Sequence, residues 1–217
     1  MKTGILFDLD GTLLSTLEDL ADSVNYTLRC YNCPERTLEE VRTFVGNGVK
    51  NLITRSLPGK DSDPPIETAL ATYLAYYADH CQIKTHPYDG ILEALAEIRK
   101  EFPVAVVSNK QDKDTKPLCK KYFGEDLLAF GEDGSCPRKP APDMLHKAMA
   151  ALGVDRCIYV GDSEVDILTA KNTGVPCLSV LWGFRDKDCL LEHGATHFCD
   201  DPRKLPQILK EMVQNGQ

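Results

Sequence analysis

The chain has 217 residues, 42% of them hydrophobic and 27% charged, with a formal net charge of −8. That length suffices for one large domain, or a medium domain with a smaller insert, around a sizeable buried core. The acidic balance carries no basic footprint for nucleic acid, no stretch approaches the ~20 apolar residues of a membrane span, and Met1-Lys2-Thr3 runs directly into an apolar segment with no secretory h-region before it.

The first segment is Ile5-Leu6-Phe7-Asp8-Leu9-Asp10-Gly11-Thr12-Leu13. A short apolar run ending in a turn signal predicts a buried strand with both aspartates at its C-terminal end. In an open α/β sheet that is the ligand-binding edge. Two carboxylates this close repel one another unless a cation lies between them, and a hard divalent cation with oxygen ligands fits that need.

Helical periodicity follows. Leu17, Leu20, Ala21, Val24 and Leu28 keep the i, i+3, i+4, i+7 spacing, with Thr16 as the expected cap and an end near Cys33-Pro34. A second helix is predicted over Leu38 to Phe44, where Thr37 and Glu40 have capping-box spacing. Gly46-Asn47-Gly48 breaks it, a third helix passes through Leu52, Ile53 and Leu57, and the loop signals of residues 58–65 precede a long helix from Ile66 to about Cys81. Leu70, Tyr73, Leu74 and Tyr77 are its expected inner face. Residues 15–86 therefore read as an all-helical insert.

From Pro87 strands and helices alternate. Asp89-Gly90 opens a helix through Leu92, Leu95 and Ile98; Pro103 to Val107 is a strand; a charged helix reaches about Phe123; Leu127 to Phe130 is a short strand. Met144 to Leu152 is a helix, Cys157 to Val160 a strand, Glu164 to Thr173 a helix, Val175 to Leu181 a strand and Pro202 to Val213 a final helix. Alternation of this kind predicts a doubly wound, mainly parallel α/β sheet. The expected domains are thus 1–14 with 87–217, and the insert 15–86.

Nine cysteines, an odd number without a dense framework, read as reduced thiols of a cytoplasmic protein. Cys30-Tyr31-Asn32-Cys33 lacks a second pair at zinc spacing and is expected to be chance spacing at a helix end. The five histidines are scattered and none is assigned a metal.

Four segments carry chemistry: Asp8-x-Asp10-Gly11-Thr12-Leu13; Ser108-Asn109-Lys110 after a strand; Arg138-Lys139-Pro140-Ala141-Pro142; and Gly161-Asp162-Ser163-Glu164-Val165-Asp166 at a helix start. In this order they resemble the four motifs of the haloacid-dehalogenase-like hydrolases. Singly, each has an ordinary reading: a Ser-Asn pair is common turn chemistry, and Asp162 is placed to cap a helix.

The resemblance implies a Rossmann-like core with a mobile helical cap formed by the insert, and a Mg²⁺-dependent phosphatase. Asp8 would be the nucleophile, forming an aspartyl-phosphate. Asp10 would be the general acid and base, its backbone carbonyl also on Mg²⁺. Ser108, Asn109, Lys139, Gly11 and Thr12 would bind phosphate, the two prolines holding Lys139 in an extended loop. Asp162 would ligate Mg²⁺ with Asp8, and Asp166 would act through water or by orienting neighbours. Phe44-Val45-Gly46-Asn47-Gly48-Val49 resembles the cap loop of phosphoglycolate-phosphatase-like members, making Gly46, Asn47 and Gly48 the candidate substrate loop, although Ser15 stands where many relatives carry aspartate. Leu181-Trp182-Gly183-Phe184-Arg185 resembles the relatives' loop after the fifth strand and is given no catalytic role. The implied partner is a small phosphorylated metabolite, with no nucleic acid or membrane, for a monomer or homodimer. Alternatives within the resemblance are a phosphosugar mutase and an inorganic pyrophosphatase; a non-catalytic binding protein is disfavoured by the intact residue set.

Overall fold

A computed structural model describes residues 2–216. The chain divides into two compact units, Met1–Leu14 with Pro87–Gln217, and Ser15–His86.

The first unit is built on β1 (Thr3–Phe7), β4 (Val104–Gln111), β5 (Leu128–Glu132), β6 (Arg156–Gly161), β7 (Cys177–Val180) and β8 (His197–Cys199). They form one six-stranded sheet in the order β5-β4-β1-β6-β7-β8, and every pairing is parallel. The chain fills one side of β1 with β4 and β5, then crosses to the other with β6, β7 and β8. The crevice at the C-terminal strand ends beside such a reversal is where open α/β sheets bind ligands.

Period-two side-chain alternation distributes the core between both faces. Ile5, Phe7, Val104, Val106, Ile158, Val160, Leu178 and Val180 point to one face, which α5 (Ile91–Glu101), α6 (Asp112–Phe123) and α10 (Leu205–Gln214) cover. Leu6, Ala105, Val107, Cys157 and Tyr159 point to the other, under α7 (Asp143–Leu152) and α8 (Glu164–Thr173). Strands buried on both faces must be apolar throughout, which is why they read as continuous hydrophobic runs.

The second unit contains α1 (Leu17–Cys30), α2 (Leu38–Phe44), α3 (Gly48–Ser56) and α4 (Ile66–His80). The Thr37–Glu40 capping box forms, with Thr37 Oγ1 accepting from the Glu40 N–H at 3.2 Å and Glu40 accepting from the Thr37 N–H at 2.8 Å. The carboxylate of Asp19, buried in α1, accepts from the backbone N–H groups of Lys84 and Thr85 and so fastens the end of this unit to its first helix. Tyr26, Tyr76 and His80 stack face to face across α1 and α4, with ring centroids 3.9 and 3.7 Å apart. The segments crossing between the units, β2 (Leu14–Ser15) and β3 (His86–Pro87), pair as a two-stranded sheet.

Several local expectations are corrected. Thr16 makes no side-chain cap bond at the start of α1. The inner face of α4 is Ala69, Tyr73 and Tyr77, with Leu70 and Leu74 only partly buried. On α5 the buried stripe is Ile91, Ala94, Leu95 and Ile98, while Leu92 is exposed. α9 (Lys187–Glu192) and the edge strand β8 were not anticipated, and the last helix begins with a separate 3₁₀ turn, Pro202–Lys204. Among the described residues no helix is long and apolar enough to cross a membrane. All nine cysteines are free thiols, and Cys30-x-x-Cys33 straddles the end of α1.

Candidate active site

The sheet order makes β4, β1 and β6 neighbours, and their register sets Phe7 level with Val106 and with Val160. Their C-terminal ends therefore come together. Asp8 leaves β1, Ser108 and Asn109 lie in the irregular last part of β4, and Asp162 follows β6. Lys139 reaches the same point from the turn before α7, so all four segments converge although they span more than 150 residues of sequence.

Lys139 is the hub. Only 2% exposed, its ammonium lies 2.9 Å from Asp8 Oδ1 and 2.8 Å from Asp166 Oδ1, and it donates to the Tyr159 hydroxyl at 2.8 Å. Burial by itself depresses a lysine's pKa, but Asp166 and Asp8 outweigh it and hold Lys139 above its ordinary value, so the group is a fixed cation. The segment carrying it is not extended, as expected, but a tight turn closed by the Ala141 N–H on the Arg138 carbonyl at 3.0 Å, with a cis Lys139–Pro140 bond. Asn172 Nδ2 donates to the Pro140 carbonyl and Asn109 Nδ2 to the Lys139 carbonyl, at 2.8 and 3.0 Å, pinning the turn from two sides.

Asp8 Oδ1 also accepts from the Leu9 N–H at 2.7 Å, so Oδ2 is the oxygen not committed to Lys139 and Leu9. Burial pushes the Asp8 carboxyl well above its usual range; Lys139 opposes this, and Asp166 and Asp162 add to it. Asp10 is not part of this group. Its carboxylate pairs with Lys110, 2.9 and 3.2 Å from its two oxygens. The two aspartates therefore face different lysines, Asp8 sharing Lys139 with Asp166 and Asp10 pairing with Lys110.

Asp162 and Asp166 are held differently. Asp162 Oδ1 accepts from Thr12 Oγ1 at 3.0 Å and Oδ2 from the Phe184 N–H at 2.7 Å. Burial first, then Asp166, pushes the Asp162 carboxyl up to about 7. Ser163, not Asp162, caps α8. Both Asp166 oxygens are engaged: Oδ1 with Lys139 and Tyr159, and Oδ2 with the Asp162 N–H, the Ser163 N–H and Ser163 Oγ at 3.2, 3.1 and 2.6 Å. Tyr159, whose hydroxyl also faces the Val107 carbonyl at 3.1 Å, is kept neutral by burial and by the carboxylates around it.

Gly11 and Thr12 make contacts within the protein. The Gly11 N–H donates to the Leu14 carbonyl at 2.9 Å; with φ +83°, Gly11 leaves room for the Asp162 carboxylate, which a Cβ would overlap. Thr12 directs its hydroxyl to Asp162. Ser108 Oγ accepts from the Lys110 N–H at 3.2 Å. Gly46, Asn47 and Gly48 belong to the other unit, where they form the break before α3, with Gly46 and Gly48 at φ 117° and 77°.

Carboxylate oxygens of Asp8, Asp162 and Asp166 lie within 4.8 Å of one another. Three buried carboxylates beside one ammonium leave excess negative charge in a poorly solvated place, as the raised pKa values of Asp8 and Asp162 register. A hard divalent cation fits this donor set. Asp8, with Oδ2 uncommitted, and Asp162, with one donor on each oxygen, keep lone pairs for direct ligation, whereas Asp166, with two donors on Oδ1 and three on Oδ2, is suited to orienting them.

The sequence matches the haloacid dehalogenase-like hydrolase family over residues 5–180. The chain belongs to that family. It is 33% identical to the phosphoglycolate phosphatase of Colwellia psychrerythraea, across 96% of this chain and 97% of the relative. It is 29% identical to the N-acetylmuramic acid 6-phosphate phosphatase of Pseudomonas aeruginosa, across 94% and 93%. Among solved structures, that of a proposed phosphoglycolate phosphatase from Lactobacillus delbrueckii subsp. bulgaricus superposes with a TM-score of 0.88 at 37% identity, covering 96% of this chain and 99% of that one.

Three features of this hydrolase's site have no role of their own in the sequence reading: Lys110, Tyr159 and the Trp182–Arg185 loop. Phe184 offers a backbone N–H, which every non-proline residue has, so no residue-type signal marks it. Lys110 alone had a usable signal: a basic residue closing the segment that meets a paired carboxylate motif.

Proposed function

We propose that this chain is a Mg²⁺-dependent phosphatase that hydrolyses a small phosphate monoester, with phosphoglycolate as the leading substrate. The observation that carries the reading is the buried Lys139 ammonium between Asp8 and Asp166, 2.9 and 2.8 Å away. It neutralises a would-be nucleophile enough for a phosphate dianion to approach it.

In the mechanism that follows, Asp8 Oδ2 attacks phosphorus. The bond to the leaving oxygen breaks, and that oxygen takes the proton of Asp10. The aspartyl-phosphate is then attacked by water, which gives a proton back to Asp10; the Asp8–phosphorus bond breaks and inorganic phosphate leaves. Lys139 and the Ser108–Asn109 segment hold the phosphoryl oxygens as charge builds on them. Mg²⁺, held by Asp8, Asp162 and the Asp10 carbonyl, would supply charge neutralisation and orientation of the phosphoryl group. Asp166 is a positioning residue for Lys139 and for the Asp162 backbone.

The relatives named for phosphoglycolate support that substrate, and Gly46-Asn47-Gly48 is the candidate loop for its carboxylate, with the helical unit as cap. The likeness to a phosphosugar phosphatase supports a second reading, a sugar 6-phosphate. The nine free thiols suit the reducing cytoplasm.

The test is phosphate release from a panel of small esters, with and without Mg²⁺, by the parent and Asp8→Asn. Release from phosphoglycolate that needs both Mg²⁺ and Asp8 is expected. Preference for a sugar 6-phosphate would move the substrate and keep the chemistry. An isomerised sugar phosphate with no free phosphate would replace hydrolysis by a mutase reaction.

A further inference from the structure

We infer that the loop Trp182–Arg185 is a strap that positions Asp162 for its metal, and that the Glu164–Arg185 ion pair is the lock on this strap. The inference rests on the reading of Asp162 as a Mg²⁺ ligand and goes on to say what sets the affinity of that site.

Three attachments define the strap. Trp182 Nε1 donates to the Thr12 carbonyl at 3.0 Å, tying the loop to the residue whose hydroxyl holds Asp162 Oδ1. The Phe184 N–H donates to Asp162 Oδ2 at 2.7 Å. Arg185 then closes on Glu164, the first residue of α8, with Nε at 2.7 Å from Oε2 and Nη2 at 3.2 Å from Oε1. This two-pronged geometry fixes direction as well as distance. Both side chains are largely buried, 11% and 20% exposed, so solvent screens the pair weakly.

Between these attachments the loop lacks a side chain where one would intrude. A Cβ on Gly183 would overlap the Asp162 Cβ and lie 2.5 Å from both Asp162 Oδ2 and the Gly11 carbonyl. The Asp162 carboxylate therefore sits in a slot between two glycine backbones, with one hydrogen-bond donor for each oxygen. Thr12 belongs to the Asp8 segment and moves with it. Phe184 belongs to a separate loop, and Glu164–Arg185 fixes that loop to the start of α8, just past Asp162 itself. Loss of the lock frees the donor of one oxygen and leaves the carboxylate to rotate within its slot. Partners that orient a ligating carboxylate typically change metal affinity by about 10–100-fold when removed.

Arg185 is also a positive charge near Asp162. If its charge alone mattered, its removal would strengthen cation binding. Positioning predicts the opposite sign, and the sign is what the experiment reads.

Mg²⁺ binding to the full-length protein is measured by isothermal titration calorimetry in the parent, Asp162→Asn, Arg185→Met, Arg185→Lys and Glu164→Gln, with circular dichroism confirming that each variant is folded. About tenfold weaker binding is expected in Arg185→Met and in Glu164→Gln, with no further loss when Arg185→Met and Glu164→Gln are combined in one protein and measured alongside, and a smaller loss in Arg185→Lys. Unchanged or tighter binding in folded Arg185→Met overturns the strap. If Arg185→Met does not fold, the milder Arg185→Lys and Glu164→Gln decide, and parental affinity in both overturns it. Asp162→Asn separates the underlying reading: if it binds Mg²⁺ like the parent, Asp162 is not a ligand and the strap falls with it. Loss in Asp162→Asn with parental affinity in the other variants removes the strap alone.

Discussion

Lys110 and Asp10 stand 100 residues apart in sequence and face each other at the C-terminal edge of the sheet, the ammonium within 3.2 Å of both carboxylate oxygens. The two side chains are 6% and 15% exposed, so the pair is shielded from bulk water. In the proposed mechanism Asp10 works within a proton's reach of the leaving oxygen, and the pair with Lys110 would hold it there. Lys110→Met is expected to lower turnover about tenfold, a fraction of the ~10²–10⁴ that general acid–base catalysis contributes, with little change in KM. Lys110→Arg keeps the charge and should recover part of the loss. Steady-state kinetics on the preferred ester checks this; turnover within twofold of the parent in Lys110→Met would remove the restraint from the account.

The buried acidic group makes stability depend on pH and on metal together. The Asp162 carboxyl rises from an ordinary 3.8 to about 7 on folding without metal. A raised folded pKa means that the folded state holds its proton over a range where the unfolded chain has lost it. Its stabilising contribution is therefore complete below about pH 4 and is lost as pH rises through about 7. Asp8 shifts in the same direction. Metal-free protein should thus show a falling Tm between pH 5 and 8, and saturating Mg²⁺ should remove the fall by taking the place of the protons. A thermal-melt series with EDTA and with Mg²⁺ measures both limbs. Equal pH slopes in the two conditions would contradict a metal among these carboxylates.

Gly183→Ala inserts a methyl group into the Asp162 slot. Overpacking of this kind costs about 1–3 kcal/mol, and here the neighbour that must yield is the carboxylate itself. Urea unfolding should show that loss, and calorimetry should show weakened Mg²⁺ binding. Parental values in both would mean that the loop moves aside freely.

Lys139→Met leaves Asp8 and Asp166 buried without their shared cation. Breaking a buried pair from one side costs about 3–5 kcal/mol, so at pH 8 a large drop in the urea midpoint is expected, along with loss of turnover. Because the Asp8 carboxyl, already raised by burial and no longer opposed by Lys139, can take up a proton, the deficit should shrink toward pH 5. A deficit independent of pH would assign it to lost packing rather than to charge.

Much of this was legible in residue order. The apolar runs of β1, β4 and β6 are long enough and dense enough to read as strands buried on two faces, and three of the four chemistry-bearing segments begin where such a run stops, the Lys139 turn being the exception. β8 was not legible because His197–Cys199 is three residues long and only partly apolar, too short to show a period. α4 was legible as a helix but not by face: Leu70 and Leu74 are as apolar as Tyr73 and Tyr77, so composition does not say which stripe turns inward. The extended form expected for residues 138–142 failed because prolines restrict φ without choosing between an extended segment and a turn.

What the sequence determined by itself was the kind of group available at each strand end, because the chemistry of Asp8, Asp10, Lys139, Asp162 and Asp166 belongs to the residues and the apolar period places them at an edge. What only the tertiary structure decided was who meets whom. Strand order is a long-range choice that local periodicity does not encode, and it is the adjacency of β4, β1 and β6 that brings Lys110 to Asp10 and Lys139 to Asp8. The same holds for Asp162, whose partners are the Thr12 hydroxyl, a backbone N–H and the missing side chains of two glycines. Such groups acquire a role only when folding brings a buried carboxylate against them and excludes the water that would otherwise solvate it.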